Sequence, residues 1–143
     1  MFTMKERIPV SIVMTENVVK LNLKDTLSKA EELFLKHNIR HLPVVDGDRI
    51  VGILSYTDLL RVGVAEGLDE EDRVISATIY DMYCLEQVMT KDVVTIESHT
   101  NVREAAEILV KSGFRALPIM KDENLVGMLT TTDLILYLLK QYD

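Results

Sequence analysis

The sequence predicts a mixed α/β (α+β) fold: two β-α-β-β-α units related by a pseudo-twofold axis and packed sheet to sheet. Three observations predict it. The chain repeats itself at an offset of 75 residues, short β-branched runs alternate with helical spacings inside each copy, and a proline and a glycine recur at matched positions.

The repeat comes first because it fixes the architecture. Val13–Leu60 aligns with Val88–Ile135 without a gap, and 17 of the 48 positions are identical. The stretch beginning at Val13 (VMTENVV) meets VMTKDVV, IRHLPVV meets FRALPIM, and IVGILSYTDLL meets LVGMLTTTDLI. Pro43 and Pro118 coincide, as do Gly52 and Gly127. The chain is a duplicated unit.

Within the first copy, Val18–Leu21 is a short β-branched run that reads as a strand. Thr26 then offers an N-cap, and Leu27, Ala30, Leu33 and Phe34 recur at helical spacing until His37. The second copy repeats this with Asn101 as cap, Glu104 completing a capping-box pattern, and Val102, Ala105, Ile108 and Leu109 on the face. Leu42–Val45 and Ile50–Leu54 flank Asp46-Gly47-Asp48, a hairpin pattern; the second copy turns at Lys121-Asp122-Glu123-Asn124, without glycine. Thr57-Asp58 opens an apolar helix over Leu59–Val64, mirrored by Leu134–Leu139 after Asp133. One such unit has too little to bury alone, and a second copy supplies the missing partner surface. Between the copies, residues 66–72 form an acidic run that reads as a solvated loop, and Val74–Met82 has helical spacing.

Composition removes several functions. The net charge of −7 argues against broad nucleic-acid binding, which needs many phosphates neutralised. It leaves room for one anionic ligand held by a few local cations. No apolar run approaches the roughly 20 residues that span a bilayer, and the first ten residues lack a signal-peptide core, so a cytoplasmic protein without membrane partners is expected. Cys84 is the single cysteine, which rules out an internal disulfide and a thiolate cage. His37, His41 and His99 fall outside any metal-binding spacing, no Walker loop is present, and no nucleophile–base set recurs. No enzyme, metal or resident cofactor is expected. Met14 and Met89, at matched positions, read as core or dimer contacts.

With the repeat in hand, the motifs resemble the cystathionine-β-synthase-type (CBS) domain family. The matching elements are VMT before the first strand, R-x-L-P before the second, and V-G-h-L-[ST]-x-T-D from the third strand into the last helix, in order and twice. The resemblance places the first CBS domain at 8–64, an acidic connector and helix at 65–82, and the second domain at 83–143. It is nearest to free-standing bacterial pairs of the acetoin-utilisation type. It implies a regulatory module that binds an adenosine compound (AMP, ADP, ATP or S-adenosylmethionine) in clefts between the copies and dimerises into a disc. The effector protein is not identified by it. A dimerisation platform without a tight ligand is the alternative.

The candidate site residues follow from matched chemistry. Asp58 and Asp133 each offer two acceptor oxygens at the spacing of vicinal ribose hydroxyls. Ser55 and Thr57, and Thr130 and Thr132, lie at a strand-to-helix junction where hydroxyls and free N–H groups can cradle phosphate. The same Ser/Thr-x-x-Asp spacing also makes a helix capping box, so a purely structural role stays open. Arg40 and Arg115 stand three residues ahead of the matched prolines and could grip phosphate; His41 could join them, whereas its counterpart Ala116 could not. Val18-Val19 and Val93-Val94 offer adenine apolar faces and backbone partners. The resemblance further implies crossed clefts. One combines Ser55, Thr57 and Asp58 with Val93, Val94, Phe114, Arg115, Ala116 and Pro118. The other combines Thr130, Thr132 and Asp133 with Val18, Val19, Ile39, Arg40, His41 and Pro43.

Overall fold

The computed structural model describes residues 7–65 and 77–143. The acidic run at 66–72 and the first residues of the expected Val74–Met82 helix lie outside the described residues. The chain forms two compact units: a central one, Val19–Val93, and a terminal one that joins the chain up to Val18 with Val94–Asp143.

In the central unit, β1 (Leu21–Asn22) runs parallel to β2 (His41–Asp46), which pairs antiparallel with β3 (Arg49–Ser55). Helices α1 (Leu27–His37), α2 (Tyr56–Ala65), α3 (Ala77–Tyr80) and α4 (Leu85–Val88) accompany this sheet. The terminal unit repeats the plan with β4 (Ile96–Glu97), β5 (Ala116–Lys121) and β6 (Asn124–Thr130), and with α5 (Val102–Ser112) and α6 (Thr131–Lys140). The register repeats as well: Leu21 faces Val44 as Ile96 faces Ile119. The α+β class and the β-α-β-β-α order are therefore those expected.

Local chemistry explains each boundary. The Thr26 hydroxyl accepts from the Lys29 N–H at 3.1 Å, and the Asn101 side chain from the Glu104 N–H at 2.8 Å, so both first helices start at the expected caps. They end on left-handed residues, Asn38 (φ 51°) and Gly113 (φ 75°). The hairpin of the second copy turns on Asp122 and Glu123, both left-handed at φ 51° and 66°, without the glycine that eases such a turn in the first copy.

The first strands are shorter than expected. Val18 and Val19 stand outside β1, and Val93 and Val94 outside β4. The prolines supply the reason. The Val45 carbonyl accepts from the Leu23 N–H, so Pro43, two residues back, also faces β1, where it has no N–H to give. Pro118 ends the β4 ladder in the same way, two residues before Met120, whose carbonyl accepts from Ser98.

The core of each unit is apolar. Leu21, Leu27, Phe34, Leu42, Leu54 and Leu59 anchor the central one, and Val10, Ile96, Leu109, Leu117, Ile119 and Leu129 the terminal one. Tyr80 closes the central core against α1, donating its hydroxyl to the Glu31 carboxylate. Burial, reinforced by that carboxylate, raises its pKa and keeps it a donor. Among the described residues, no helix is long and apolar enough to cross a membrane.

Each VMT segment packs on the other copy's last strand. Thr15 pairs with Met128 through two backbone hydrogen bonds (2.8 and 3.0 Å), and Thr90 pairs with Ile53 in the same way (2.9 and 3.0 Å). The methionine before each threonine lies flat on a glycine: Met14 on Gly127 and Met89 on Gly52. A Cβ at either glycine would collide with the methionine sulfur. Met89 belongs to the central core and Met14, partly buried, packs against the terminal one, so they fill the first of the two roles expected for them. Gly52→Ala should therefore lose about 1–3 kcal/mol of stability, and Met89→Ala should lose more. Combined, they should cost less than their sum by at least about 1 kcal/mol, because the second substitution removes what the first collides with. Denaturant unfolding of the four proteins checks this; additive costs would mean that the contact is not what demands glycine.

Candidate functional site

Both repeated Ser/Thr-x-x-Asp motifs sit where a strand runs directly into a helix. In the central unit β3 ends on Ser55 and α2 begins at Tyr56. The Ser55 hydroxyl accepts from the Asp58 N–H at 3.0 Å, and Asp58 Oδ2 accepts from the Ser55 N–H at 3.1 Å. In the terminal unit Thr130 and Asp133 close the same box at 3.1 and 2.9 Å. The capping geometry is thus formed at both motifs. It consumes one carboxylate oxygen of each aspartate and leaves the other, Oδ1, for something else.

The two Oδ1 atoms meet different partners. Asp133 Oδ1 accepts from the Thr15 hydroxyl at 3.0 Å, a contact made possible by the VMT segment lying along β6. Asp58 Oδ1 stands 3.5 Å from the Arg61 guanidinium, one helical turn on. Asp58 is mostly covered, with 18% of its side chain exposed, whereas Arg61 is 75% exposed. Both line a cavity of about 260 Å³ together with Val62, Tyr83, Gln87 and Val88.

The pre-proline segments are tied to the same junctions by backbone. The Tyr56 N–H donates to the Arg40 carbonyl at 2.9 Å, and the Thr131 N–H to the Arg115 carbonyl at 3.1 Å. This places Ile39, Arg40, His41 and Pro43 in the central unit with Ser55, Thr57 and Asp58. Arg40 and Thr57 are exposed and Pro43 is buried. In the terminal unit, Phe114, Arg115, Ala116 and Pro118 accompany Thr130, Thr132 and Asp133. There Phe114 and Arg115 line a second cavity of about 370 Å³ with Thr131, Leu134 and Ile135, while Ala116 and Pro118 are buried in β5. The valines divide between the units. Val18 belongs with Asp133 and Val93 with Asp58, while Val19 and Val94 lie with their own repeats.

Four residues at these sites escaped sequence reasoning: Thr15, Arg61, Tyr83 and Gln87. Thr15 carried a usable signal, since it recurs as Thr90. Arg61 has no matched signal, because its counterpart in the second copy is Leu136; only its i,i+3 spacing from Asp58 on the expected helix pointed to it. Among the described residues, no three His, Cys, Asp or Glu side chains converge as a metal site.

Comparison with known proteins bears on this geometry. The family model for the CBS domain matches residues 7–65 and again 85–140. A CBS domain-containing protein of Dictyostelium discoideum is 31% identical, covering 94% of this chain and 93% of its own. A Vibrio cholerae protein named for acetoin utilization (AcuB) superposes with a TM-score of 0.78 at 28% identity, over 94% of this chain and 93% of that one. The CBS protein CBSX2, solved in complex with AMP, superposes with a TM-score of 0.76 at 25% identity, over 94% and 98%. Other curated relatives are longer, and the chain spans 41%, 23% and 38% of three of them. CBS pairs are regulatory modules, not catalysts.

The capping geometry carries its own prediction. Asp58→Ala and Asp133→Ala each remove one half of a closed box, so each should lower stability by about 1 kcal/mol. The loss at Asp133 should be the larger, because Thr15 also loses its acceptor. Urea unfolding of the ligand-free proteins measures both. Equal losses would mean that the Thr15 contact adds nothing.

Proposed function

Because the chain belongs to the CBS-domain family, as a tandem pair, we propose that it is a ligand-sensing module that binds an adenosine compound. The observation that carries this reading is the pair of half-committed aspartates. Each uses Oδ2 to hold its helix start and keeps Oδ1 in an exchangeable side-chain contact at a helix N-terminus, where the hydroxyls of Ser55 and Thr57, or of Thr130 and Thr132, stand beside it. A ribose diol needs an acceptor of this kind and a phosphate needs such donors. The likeness to a CBS protein solved with AMP supports the adenosine class. AMP, ADP, ATP and S-adenosylmethionine share the moiety these motifs would read.

In this reading Asp58 and Asp133 hold ribose, and Ser55, Thr57, Thr130 and Thr132 face phosphate. Arg40, Arg115 and His41 supply further donors. Val18 and Val93 offer adenine a face within the same units as the aspartates they serve. The family resemblance supplies the remaining partners from the opposite repeat: Val94, Phe114, Ala116 and Pro118 for Asp58, and Val19, Ile39 and Pro43 for Asp133. The ligand acts by favouring one arrangement of the module over another, and an effector protein reads the difference. The cytoplasm, where such nucleotides abound, is the setting this reading calls for.

Adenine nucleotides should raise the melting temperature more than uridine or cytidine nucleotides, since a ligand bound by the folded state alone stabilises it. Asp58→Ala and Asp133→Ala should each weaken calorimetric affinity at their own site by about ten- to a hundredfold. Equal melting shifts from all nucleotides would reduce the site to a phosphate cradle. Unchanged affinity in both variants would leave the aspartates as caps and favour a dimerisation platform.

Assembly belongs to the same proposal. Helix α6 exposes Ile135 (57%), Leu136 (52%), Leu138 (43%) and Leu139 (57%), and Val110 on α5 is 83% exposed. Apolar faces of this kind mark interfaces, and a twofold dimer is the simplest closed way to cover one. A homodimer is expected at micromolar concentration. Sedimentation equilibrium showing only a 16.3 kDa species would refute it.

A further inference from the structure

The two aspartate sites differ in one charged residue, and that difference has a functional consequence. At Asp133 the outer oxygen is held by a neutral hydroxyl, and the residue one turn on is Leu136. At Asp58 the corresponding residue is Arg61, which lies against the outer oxygen and shares its cavity. Arg61 is the cation among the residues lining that cavity. Its 75% exposure makes the pair with Asp58 a weak one that exchanges readily.

We propose that Arg61 is a specificity-determining residue, which passes from Asp58 to a phosphate of the bound ligand and makes the Asp58 site select phosphorylated over unphosphorylated adenosine. This rests on the nucleotide reading above. A ribose diol that donates to Asp58 Oδ1 takes the acceptor Arg61 was using, and so releases the guanidinium. A nucleoside 5′-phosphate carries its dianion a few bonds from that diol, within the sweep of a long side chain anchored one turn away. The planar fork of arginine suits phosphate oxygens, and the charge-assisted hydrogen bonds it forms there are stronger than the exposed ion pair given up. Adenosine itself triggers the release and offers nothing in return. The Asp133 site lacks this device, so the two sites of one chain rank the same ligands differently.

The test uses the full chain carrying Asp133→Ala, which leaves the Asp58 site to be read alone. Adenosine and AMP are titrated into it by calorimetry, with and without Arg61→Leu, the residue of the second copy. AMP should bind about tenfold more weakly when arginine is lost, while adenosine stays within about twofold or binds more tightly. Arg61→Lys should recover part of the AMP affinity. Arg61→Gln, which keeps a polar side chain at this exposed position, should repeat the AMP loss if Arg61→Leu unfolds. Parallel weakening of both ligands, or unchanged AMP binding, would overturn the role of Arg61 while leaving the nucleotide reading standing. Failure of the Asp133→Ala chain to bind either ligand would remove the nucleotide reading at Asp58, and the selectivity of Arg61 with it.

Discussion

A single kind of contact organises both units: a methionine laid on a glycine beside a threonine bridged to a strand. The last strand of each copy, β3 or β6, would otherwise end in an edge whose N–H and C=O groups need partners. The VMT segment of the opposite copy supplies them through Thr90 at Ile53 and Thr15 at Met128. This works only because Gly52 and Gly127 let the backbone and the flexible methionine approach so closely. The spatial units cut across the sequence repeats because each repeat closes its sheet with a segment borrowed from the other.

That exchange reaches the candidate sites directly. Thr15 meets Asp133 because the bridge to Met128 holds it there. On the central side the equivalent exchange places α4, with Gln87 and Val88, beside Asp58 and Arg61, so a cavity forms there. Duplication therefore gives two sites of common plan, and a few unmatched residues then make them different. Arg61 against Leu136 and His41 against Ala116 are the clearest of these.

In the proposed reading, a structural and a binding role share one aspartate side chain. A capping box needs one carboxylate oxygen, and a vicinal diol needs an acceptor that a fixed backbone holds in place. Satisfying the first with Oδ2 orients the second without further machinery. The cap takes one of the two carboxylate oxygens that the sequence offers a vicinal diol, so the proposed binding role rests on Oδ1.

The duplication, the β-α-β-β-α order, the caps Thr26 and Asn101, and the hairpins are all legible in the order of residues alone. Each is local or periodic, and matched positions 75 residues apart reinforce it. Asp58 and Asp133 are marked in the same way, because a motif that recurs in register stands out against chance. The first strands are overestimated, because β-branched runs record a preference for extended backbone and not the presence of a donor on the neighbouring strand. Pro43 and Pro118 withhold that donor. The folded chain was needed to show that the VMT segments trade places, that Met14 and Met89 sit on glycines, and that Thr15 and Arg61 divide the two outer oxygens. Those contacts join residues from 3 to 118 positions apart through the way chains cross and helices turn. Neither a composition nor a period carries that information.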